Sequence, residues 1–333
     1  MKIDIEERVL HFKQPAGTSR GIYTERRSWF VTVSDGSSVK VGECAPLPRL
    51  SCDDIPNYAE VLRHFCDDVE RTGMIPYDEL RDYPSMLFGL ETALLPSPDN
   101  AFTRGDVGIP INGLVWMGTY DEMLRRMEQK LELGFRCVKL KIGAIDFDRE
   151  LDLVKRIRQR FSHHEVELRL DANGAFPFDE ALYKLELLSQ YNIHSIEQPI
   201  RQGQWSFMAE LCRESPLPIA LDEELIGIND PDQKRQMLNI IKPQYIVLKP
   251  SLHGGMAGTR EWIELGRDMQ IGSWITSALE SNVGLMAVAE LCSSVYGTHI
   301  VRPQGLGTGQ LFTDNISMPL EVRGDELWIS KHS

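Results

Sequence analysis

From about residue 107 onward, short apolar runs alternate with longer amphipathic stretches, and this rhythm constrains the fold more than any other feature of the chain. The runs are Ile109 to Val115, Cys137 to Ile142, Val166 to Leu170, Ile193 to Ile196, Pro218 to Leu221, Tyr245 to Leu248, Ser273 to Thr276 and Thr298 to Val301. Between them, segments such as Tyr120 to Leu133, Phe147 to Arg160, Asp179 to Tyr191 and Met256 to Met269 carry apolar residues at helical spacing. Strands that alternate with helices pair in parallel, because each helix returns the chain across the sheet before the next strand begins. Eight such units in about 200 residues predict an α/β protein built on a closed (β/α) barrel. A doubly wound open sheet is the competing architecture, but no glycine-rich dinucleotide loop follows any of the runs.

The first hundred residues follow different rules. Trp29 to Val33, the turn Asp35-Gly36 and Val39 to Val41 predict a β-hairpin, followed by a loop over Gly42-Glu43-Cys44-Ala45-Pro46-Leu47-Pro48. Ile55 to Glu70 and Pro84 to Leu95 have helical patterns, so this part is a small α+β unit, with its boundary at Pro96-Ser97-Pro98-Asp99-Asn100.

The ends of the barrel runs carry the chemistry. Leu168-Arg169-Leu170-Asp171, Ile193-His194-Ser195-Ile196-Glu197 and Ile219-Ala220-Leu221-Asp222 each finish on a carboxylate, at intervals of 26 and 25 residues. In a barrel, consecutive strand C-termini are neighbours on the rim where active sites are built. Three carboxylates converging there repel one another unless a cation neutralises them, and oxygen-only ligands suit Mg²⁺ before Mn²⁺. Asp171, Glu197 and Asp222 are therefore the expected metal ligands.

Two other runs end in lysine. Lys139 and Lys141 stand two apart in Val138-Lys139-Leu140-Lys141-Ile142, hence on one face, and Lys249 follows Tyr245-Ile246-Val247-Leu248. Lysine in an apolar strand is costly unless its charge finds a partner, so these side chains turn towards the barrel mouth. The set places a metal between lysines on opposite sides. Such a site suits removal of a proton beside a carboxylate, where a divalent cation holds the developing charge. Lysine serves as the base only if its pKa falls from ~10.4 towards ~7–8. Lys139 and a nearby cation would depress Lys141 in that way.

The net charge of −13 excludes nucleic acid and anionic membranes as partners, because phosphates are gripped by clustered Lys and Arg. No stretch reaches the ~18–20 apolar residues of a membrane helix, and the N-terminus Met1-Lys2-Ile3-Asp4-Ile5-Glu6-Glu7 is too polar for a signal peptide. Cys44, Cys52, Cys66, Cys137, Cys212 and Cys292 form no CxxC pair, which suits reduced thiols in the cytoplasm. His253, His299 and the pair His163-His164 fit no ligand spacing.

This pattern of Lys-x-Lys, Asp, Glu, Asp and Lys on successive strands resembles the enolase superfamily, in its muconate-lactonizing-enzyme-like branch, over nearly the whole chain. Within that branch, Phe12-Lys13-Gln14-Pro15-Ala16-Gly17-Thr18-Ser19-Arg20-Gly21 in an N-terminal loop, Gly42 to Pro48, Arg169-Leu170-Asp171-Ala172-Asn173-Gly174, Ile275-Thr276-Ser277-Ala278-Leu279-Glu280-Ser281 and Gly305-Leu306-Gly307-Thr308-Gly309 are similar to the o-succinylbenzoate synthase group. The resemblance implies a (β/α)7β barrel, TIM-barrel-like, with an N-terminal α+β capping domain over 1–105, the barrel over 106–310 and a C-terminal tail over 311–333 that returns to the cap. It implies a lyase that uses Mg²⁺ to dehydrate the small carboxylate 2-succinyl-6-hydroxy-2,4-cyclohexadiene-1-carboxylate in menaquinone biosynthesis. Lys141 would remove the α-proton and return it to the departing hydroxyl, Lys249 would stabilise the enediolate, and Lys139 would tune Lys141 and touch the substrate. Ser277 and Arg20 would meet the succinyl arm, with Arg169 and Asn173 orienting the metal ligands from behind. The alternative is another member of the superfamily, an N-succinylamino acid racemase or a dipeptide epimerase. A dipeptide epimerase is expected to carry Asp-x-Asp where this chain has Gly305-Leu306-Gly307-Thr308-Gly309, without a carboxylate.

Overall fold

The structure, a computed structural model, describes residues 1–18 and 21–331. Its N-terminal unit is a three-stranded antiparallel sheet, β1 (Lys2–Thr18), β2 (Gly21–Ser34) and β3 (Val39–Cys44), with β2 in the middle. Asp35 closes the predicted turn by accepting from the backbone N–H of Ser37 and of Ser38, both at 2.8 Å. The segment from Phe12, expected as a loop, is strand up to Thr18, and its register slips between His11 and Ala16. Pro15 in the middle of that slip explains why it does not read as a strand: proline has no N–H for the ladder, so pairing has to skip around it.

Helices α1 (Tyr58–Thr72), α2 (Tyr77–Leu80) and α3 (Pro84–Leu94) cover one face of this sheet. Tyr58, Leu62, Phe65 and Val69 form the apolar stripe of α1, and they pack with Ile3, Trp29, Val31, Val33, Met86 and Leu90 in one core. Strand β3 lies almost backbone to backbone on α3. A side chain on Gly42 would run into the carbonyl of Gly89, and one on Gly89 into Cys44, so this crossing requires glycine on both sides.

The rest of the chain winds a barrel. Its strands are β5 (Gly113–Val115), β6 (Cys137–Lys141), β7 (Glu167–Asp171), β8 (Ser195–Glu197), β9 (Ile219–Leu221), β10 (Tyr245–Leu248) and β11 (Gly272–Ile275), parallel and in sequential order. The intervening helices are α4 (Tyr120–Glu132), α5 (Phe147–Arg160), α6 (Phe178–Ser189), α7 (Trp205–Glu214), α8 (Pro231–Ile241), α9 (Gly255–Asp268) and α10 (Asn282–Tyr296). Their boundaries follow local chemistry. Thr119 and Glu122 form a reciprocal capping box on α4, and Asp230 accepts two backbone N–H groups before Pro231 opens α8. Val138, Leu140, Leu168, Leu170, Ile196, Leu221, Ile246 and Leu248 are buried in the main core, together with the inner faces of the helices.

Two of the expected runs fall differently. Ile109 to Val115 divides: β4 (Ile109–Pro110) leaves the barrel to pair with a C-terminal hairpin, β12 (Leu320–Arg323) and β13 (Glu326–Ile329), and only β5 joins the barrel. Thr298 to Val301 is not a strand but the connector after α10, with Val301 92% exposed. The eighth position belongs to Gln304 and Gly305, which bridge in parallel to Ile111 on one side and Thr276 on the other. These bridges bring the two edges of the seven-stranded sheet together.

The N-terminal unit is bolted to the barrel by buried carboxylates at helix N-termini. Glu43 accepts from the backbone N–H of Ser281 and of Gly284, both at 3.0 Å, at the start of α10. Glu91, on α3, accepts from the N–H groups of Met256 and Ala257 at the start of α9. Each satisfies donors that a helix leaves unpaired and places negative charge at the positive end of its dipole. Residues 311 to 314 touch β1, through Lys13 N–H donating to Leu311 O at 2.8 Å and Thr313 N–H to His11 O at 2.9 Å.

Candidate active site

Register places the charged side chains. Lys141 pairs with Asp171 and Asp171 with Glu197 across β6, β7 and β8, so three successive strands finish level with one another. Asp222 follows β9, Lys249 follows β10, and all stand at the same rim. Side chains alternate along a strand, so with Val138 and Leu140 buried in the outer core, Lys139 and Lys141 point inward. Asp171, Glu197 and Asp222 are at most 2% exposed.

Buried charges of both signs interlock here. Lys139 Nζ donates to both oxygens of Glu197, at 2.6 and 2.7 Å, and lies 2.9 Å from Asp171 Oδ2. Lys141 Nζ lies 3.1 Å from the same Asp171 oxygen and donates to Asn173 Oδ1 at 2.7 Å. Lys249 Nζ donates to Asp222 Oδ2. Burial works against the charge of Lys139, but Asp171, Glu197 and Asp222 outweigh it and hold its pKa above the ordinary lysine value. Burial likewise opposes the ionisation of Asp171, yet Lys139 and Lys141 keep its carboxyl below the usual range. Glu197 goes the other way: burial, then the negative charges of Asp171 and Asp222, push it well up. The part of that push that comes from Asp171 and Asp222 is the mutual repulsion which a cation would relieve.

The carboxylates fit such a cation. Asp171 Oδ2 and Asp222 Oδ1 are buried and accept no hydrogen bond; Lys139 and Lys141 approach the former without the alignment to donate. Unsatisfied buried acceptors at the ends of β7 and β9, on either side of β8 and both oxygen, suit a hard divalent ion. Among the described residues, no three His, Cys, Asp or Glu side chains stand together in a ready-made cage, because Lys139 lies between Asp171 and Glu197.

A cavity opens beside these groups. Lys139, Lys141, Asp171, Glu223 and Lys249, with the amide of Asn173, form its polar side. Leu47 and Leu50 from the N-terminal unit, with Leu114, Trp116 and Leu279, form an apolar wall, and Asn112, Thr276, Ser277 and Thr308 supply polar contacts. Ser277 and Thr308 share a hydroxyl hydrogen bond of 2.6 Å.

Of the residues expected from sequence, Lys139, Lys141, Asp171, Glu197, Asp222, Lys249 and Asn173 come together at this rim, and Ser277 lines the cavity. Arg169 does not. Two residues deeper on β7, it donates to Glu167 at 2.7 Å and to Pro303 O at 2.9 Å, and lies over the ring of Trp274, away from the three carboxylates. The period of two that puts Arg169 on the inward face also puts it a full step below the rim. Arg20 lies outside the described residues. His253 is buried and accepts from the backbone N–H of Lys249 at 2.9 Å; burial lowers its pKa to about 3. His163, His164 and His299 are exposed.

Sequence reasoning missed Glu223 and Trp116. Glu223 is 5% exposed, accepts from Asn173 Nδ2 at 2.9 Å and is pushed up to about 7 by burial and the adjacent Asp222. Its signal was its position directly after a strand-end carboxylate. Trp116 follows β5 on the same rim, with Lys141 Nζ 5.9 Å from its ring centre.

The chain is similar to known proteins over nearly its whole length. Over its full length the chain is 43% identical to an o-succinylbenzoate synthase of Desulfotalea psychrophila, covering 99% of both proteins. It superposes on the crystal structure of MenC from that organism with a TM-score of 0.83, at 40% identity and 99% coverage of each chain. The substrate-liganded L-Ala-D/L-Glu epimerase of Bacillus subtilis shares the fold, with a TM-score of 0.80 at 19% identity over 99% of this chain and 96% of that one. Residues 122–329, which contain all three carboxylates and all three lysines, match the enolase C-terminal domain-like model, and the chain belongs to that family.

Proposed function

We propose that this protein dehydrates 2-succinyl-6-hydroxy-2,4-cyclohexadiene-1-carboxylate to 2-succinylbenzoate, the o-succinylbenzoate synthase reaction of menaquinone biosynthesis. The observation that carries the reading is that Lys141 and Lys249 face one cavity from opposite sides of the three carboxylate-bearing strands. The full-length similarity to an o-succinylbenzoate synthase supports the choice of reaction. In this reading residues 1–105 cap the cavity, 106–310 form the catalytic barrel and 311–333 tie the barrel back to the cap.

Asp171, Glu197 and Asp222 would hold Mg²⁺, which when bound supplies a Lewis acid for the substrate carboxylate. Lys141 takes the proton from the carbon bearing that carboxylate and delivers it to the hydroxyl leaving from the same face, so one side chain serves both steps of a syn elimination. Lys249, paired with Asp222, stays a cation and faces the negative charge that develops as the proton leaves. Burial opposes its charge, but Asp222 and Glu223 outweigh that effect and keep its pKa above the ordinary value. Lys139 neutralises Glu197 and reaches the cavity. Leu47, Leu50, Leu114, Trp116 and Leu279 exclude water from the ring, and Ser277 offers its hydroxyl to the succinyl arm. Among the described residues no helix is long and apolar enough to cross a membrane, and the cysteines are unpaired, which supports a cytoplasmic enzyme.

The test is turnover of the cyclohexadiene substrate with Mg²⁺, run beside a panel of N-succinyl amino acids. Rapid dehydration is expected. Two lysines flanking one cavity could also act as opposed bases, so efficient racemisation with little dehydration would replace this reading with that of an N-succinylamino acid racemase.

A further inference from the structure

Glu223 performs no step in the mechanism above, yet it is buried at the edge of the cavity and makes one directed contact. It opens a short 3-10 turn, Glu223–Leu225, immediately after Asp222. Its Oε1 accepts from Asn173 Nδ2 at 2.9 Å, and Asn173 Oδ1 in turn accepts from Lys141 Nζ at 2.7 Å. Asn173 has one accepting and one donating end, and these two contacts use both. Turned over, the amide would aim its N–H₂ at the ammonium and its carbonyl at the carboxylate, losing both hydrogen bonds. Glu223 therefore decides which end of Asn173 faces Lys141.

The backbone of Asn173 is pinned as well. Its φ is 45°, in the left-handed region that asparagine tolerates better than most residues, and its N–H donates to Asp171 Oδ1 at 3.1 Å. With the backbone fixed and the amide oriented, the position of Oδ1 is set. Among the described residues, this oxygen is the acceptor to which Lys141 Nζ donates; Asp171 Oδ2 is farther and misaligned. The four-carbon stem of a lysine has several rotamers of similar energy, so a single anchored acceptor determines where its nitrogen dwells.

We propose that Glu223 is a positioning residue: acting through Asn173, it holds Lys141 Nζ at the point in the cavity from which the proton is taken. This inference rests on Lys141 being the base. Positioning of this kind acts on the chemical step, because small displacements of a reacting group cost far more in rate than in binding.

Steady-state kinetics of Glu223→Ala, Glu223→Gln, Asn173→Ala and the Glu223→Ala/Asn173→Ala double variant test it, with substrate deuterated at the carbon that loses its proton. Glu223→Ala should lose roughly 10- to 100-fold in kcat with little change in KM, as partners behind a working group do. Its isotope effect on kcat should rise, since proton removal becomes slower than the other steps. Glu223→Gln keeps an oxygen for Asn173 Nδ2 and should recover most of the rate. The double variant should be no slower than Asn173→Ala alone, because both changes break one chain of contacts. Equal losses in the Ala and Gln variants, an unchanged isotope effect or additive losses would overturn the proposal. A crystal structure of Glu223→Ala supplies an arm that needs no turnover: Lys141 Nζ should leave Asn173 Oδ1. If wild type fails on the cyclohexadiene substrate, the proposed reaction is wrong, and this structure still decides the positioning, since an intact Lys141–Asn173 hydrogen bond would refute it.

Discussion

Lys139 Nζ donates to both oxygens of Glu197, at 2.6 and 2.7 Å, so the central carboxylate of the site is held by a lysine of the strand two places away in the sheet. The same ammonium lies 2.9 Å from Asp171. It occupies the negative potential that a divalent cation would also seek, and the two positive charges repel.

Removing that competitor has a definite consequence. Lys139→Met should bind Mg²⁺ more tightly than wild type while its metal-free form becomes less stable, because Glu197 and Asp171 are left buried with less compensation. Titration calorimetry gives the first quantity. Thermal unfolding with and without Mg²⁺ gives the second, and the metal-dependent rise in Tm should be larger in the variant. Weaker binding would mean that Lys139 assists the cation rather than competing with it.

The carboxylates themselves carry the next prediction. Asp171→Asn, Glu197→Gln and Asp222→Asn should each weaken Mg²⁺ binding by more than about tenfold, the lower bound for partners that only support a ligand. Each also leaves a lysine short of its counter-charge; in Asp222→Asn it is Lys249. Breaking a buried pair in this way costs about 3–5 kcal/mol, so circular dichroism should show an intact fold that melts earlier. Unchanged Mg²⁺ affinity in all three variants would remove the metal site from these residues.

Much of this arrangement is written locally, and the parts that are not have physical reasons. The helix over Phe147 to Arg160 coincides with α5, since its apolar spacing and the N-cap Asp146 are both local. The rim carboxylates and lysines are legible because a βα unit has a nearly fixed length, so strand ends recur at regular intervals. Thr298 to Val301 misleads because β-branched residues suit a strand or an exposed connector equally; only tertiary closure selects Gln304 and Gly305 instead. Arg169 and Asn173 stand two residues to either side of Asp171, but depth along the barrel axis, which separates Arg169 from the rim, has no signature in alternation. The contact of Asn173 with Glu223 joins residues fifty apart, and no local pattern announces it.

The junction between the N-terminal unit and the barrel should respond to pH. Glu91 is pushed up to about 7 by burial, against the pull of the Met256 and Ala257 N–H groups. Its unfolded value is 4.5, so between these limits the native state holds more protons than the unfolded one. Its contribution to stability is present below pH 4.5 and lost as pH rises through about 7. Glu91→Gln cannot ionise, so relative to wild type it should gain on the order of 3 kcal/mol between pH 5 and pH 8. Urea unfolding of both proteins at the two pH values measures the difference, and a gap that stays constant or shrinks would place the titration elsewhere.

Lys249 should act as a cation and not as a base in the dehydration. It sits on the far side of the carboxylates from Lys141, and a syn elimination requires its acid and base on one face. What remains for Lys249 is the charge that develops across the cavity, and losing such a contact typically costs ~10²–10³ in turnover. Lys249→Arg preserves the charge but spreads it over a planar fork, so it should retain more dehydration than Lys249→Ala. In a racemisation the same residue would have to shuttle a proton. Arginine, with a pKa above ~12, could not do so, and both variants should then be equally inactive on N-succinyl amino acids. Turnover of the two variants on the two substrate types separates the roles. Equal losses of Lys249→Arg and Lys249→Ala on the cyclohexadiene substrate would show that Lys249 does more than hold a charge.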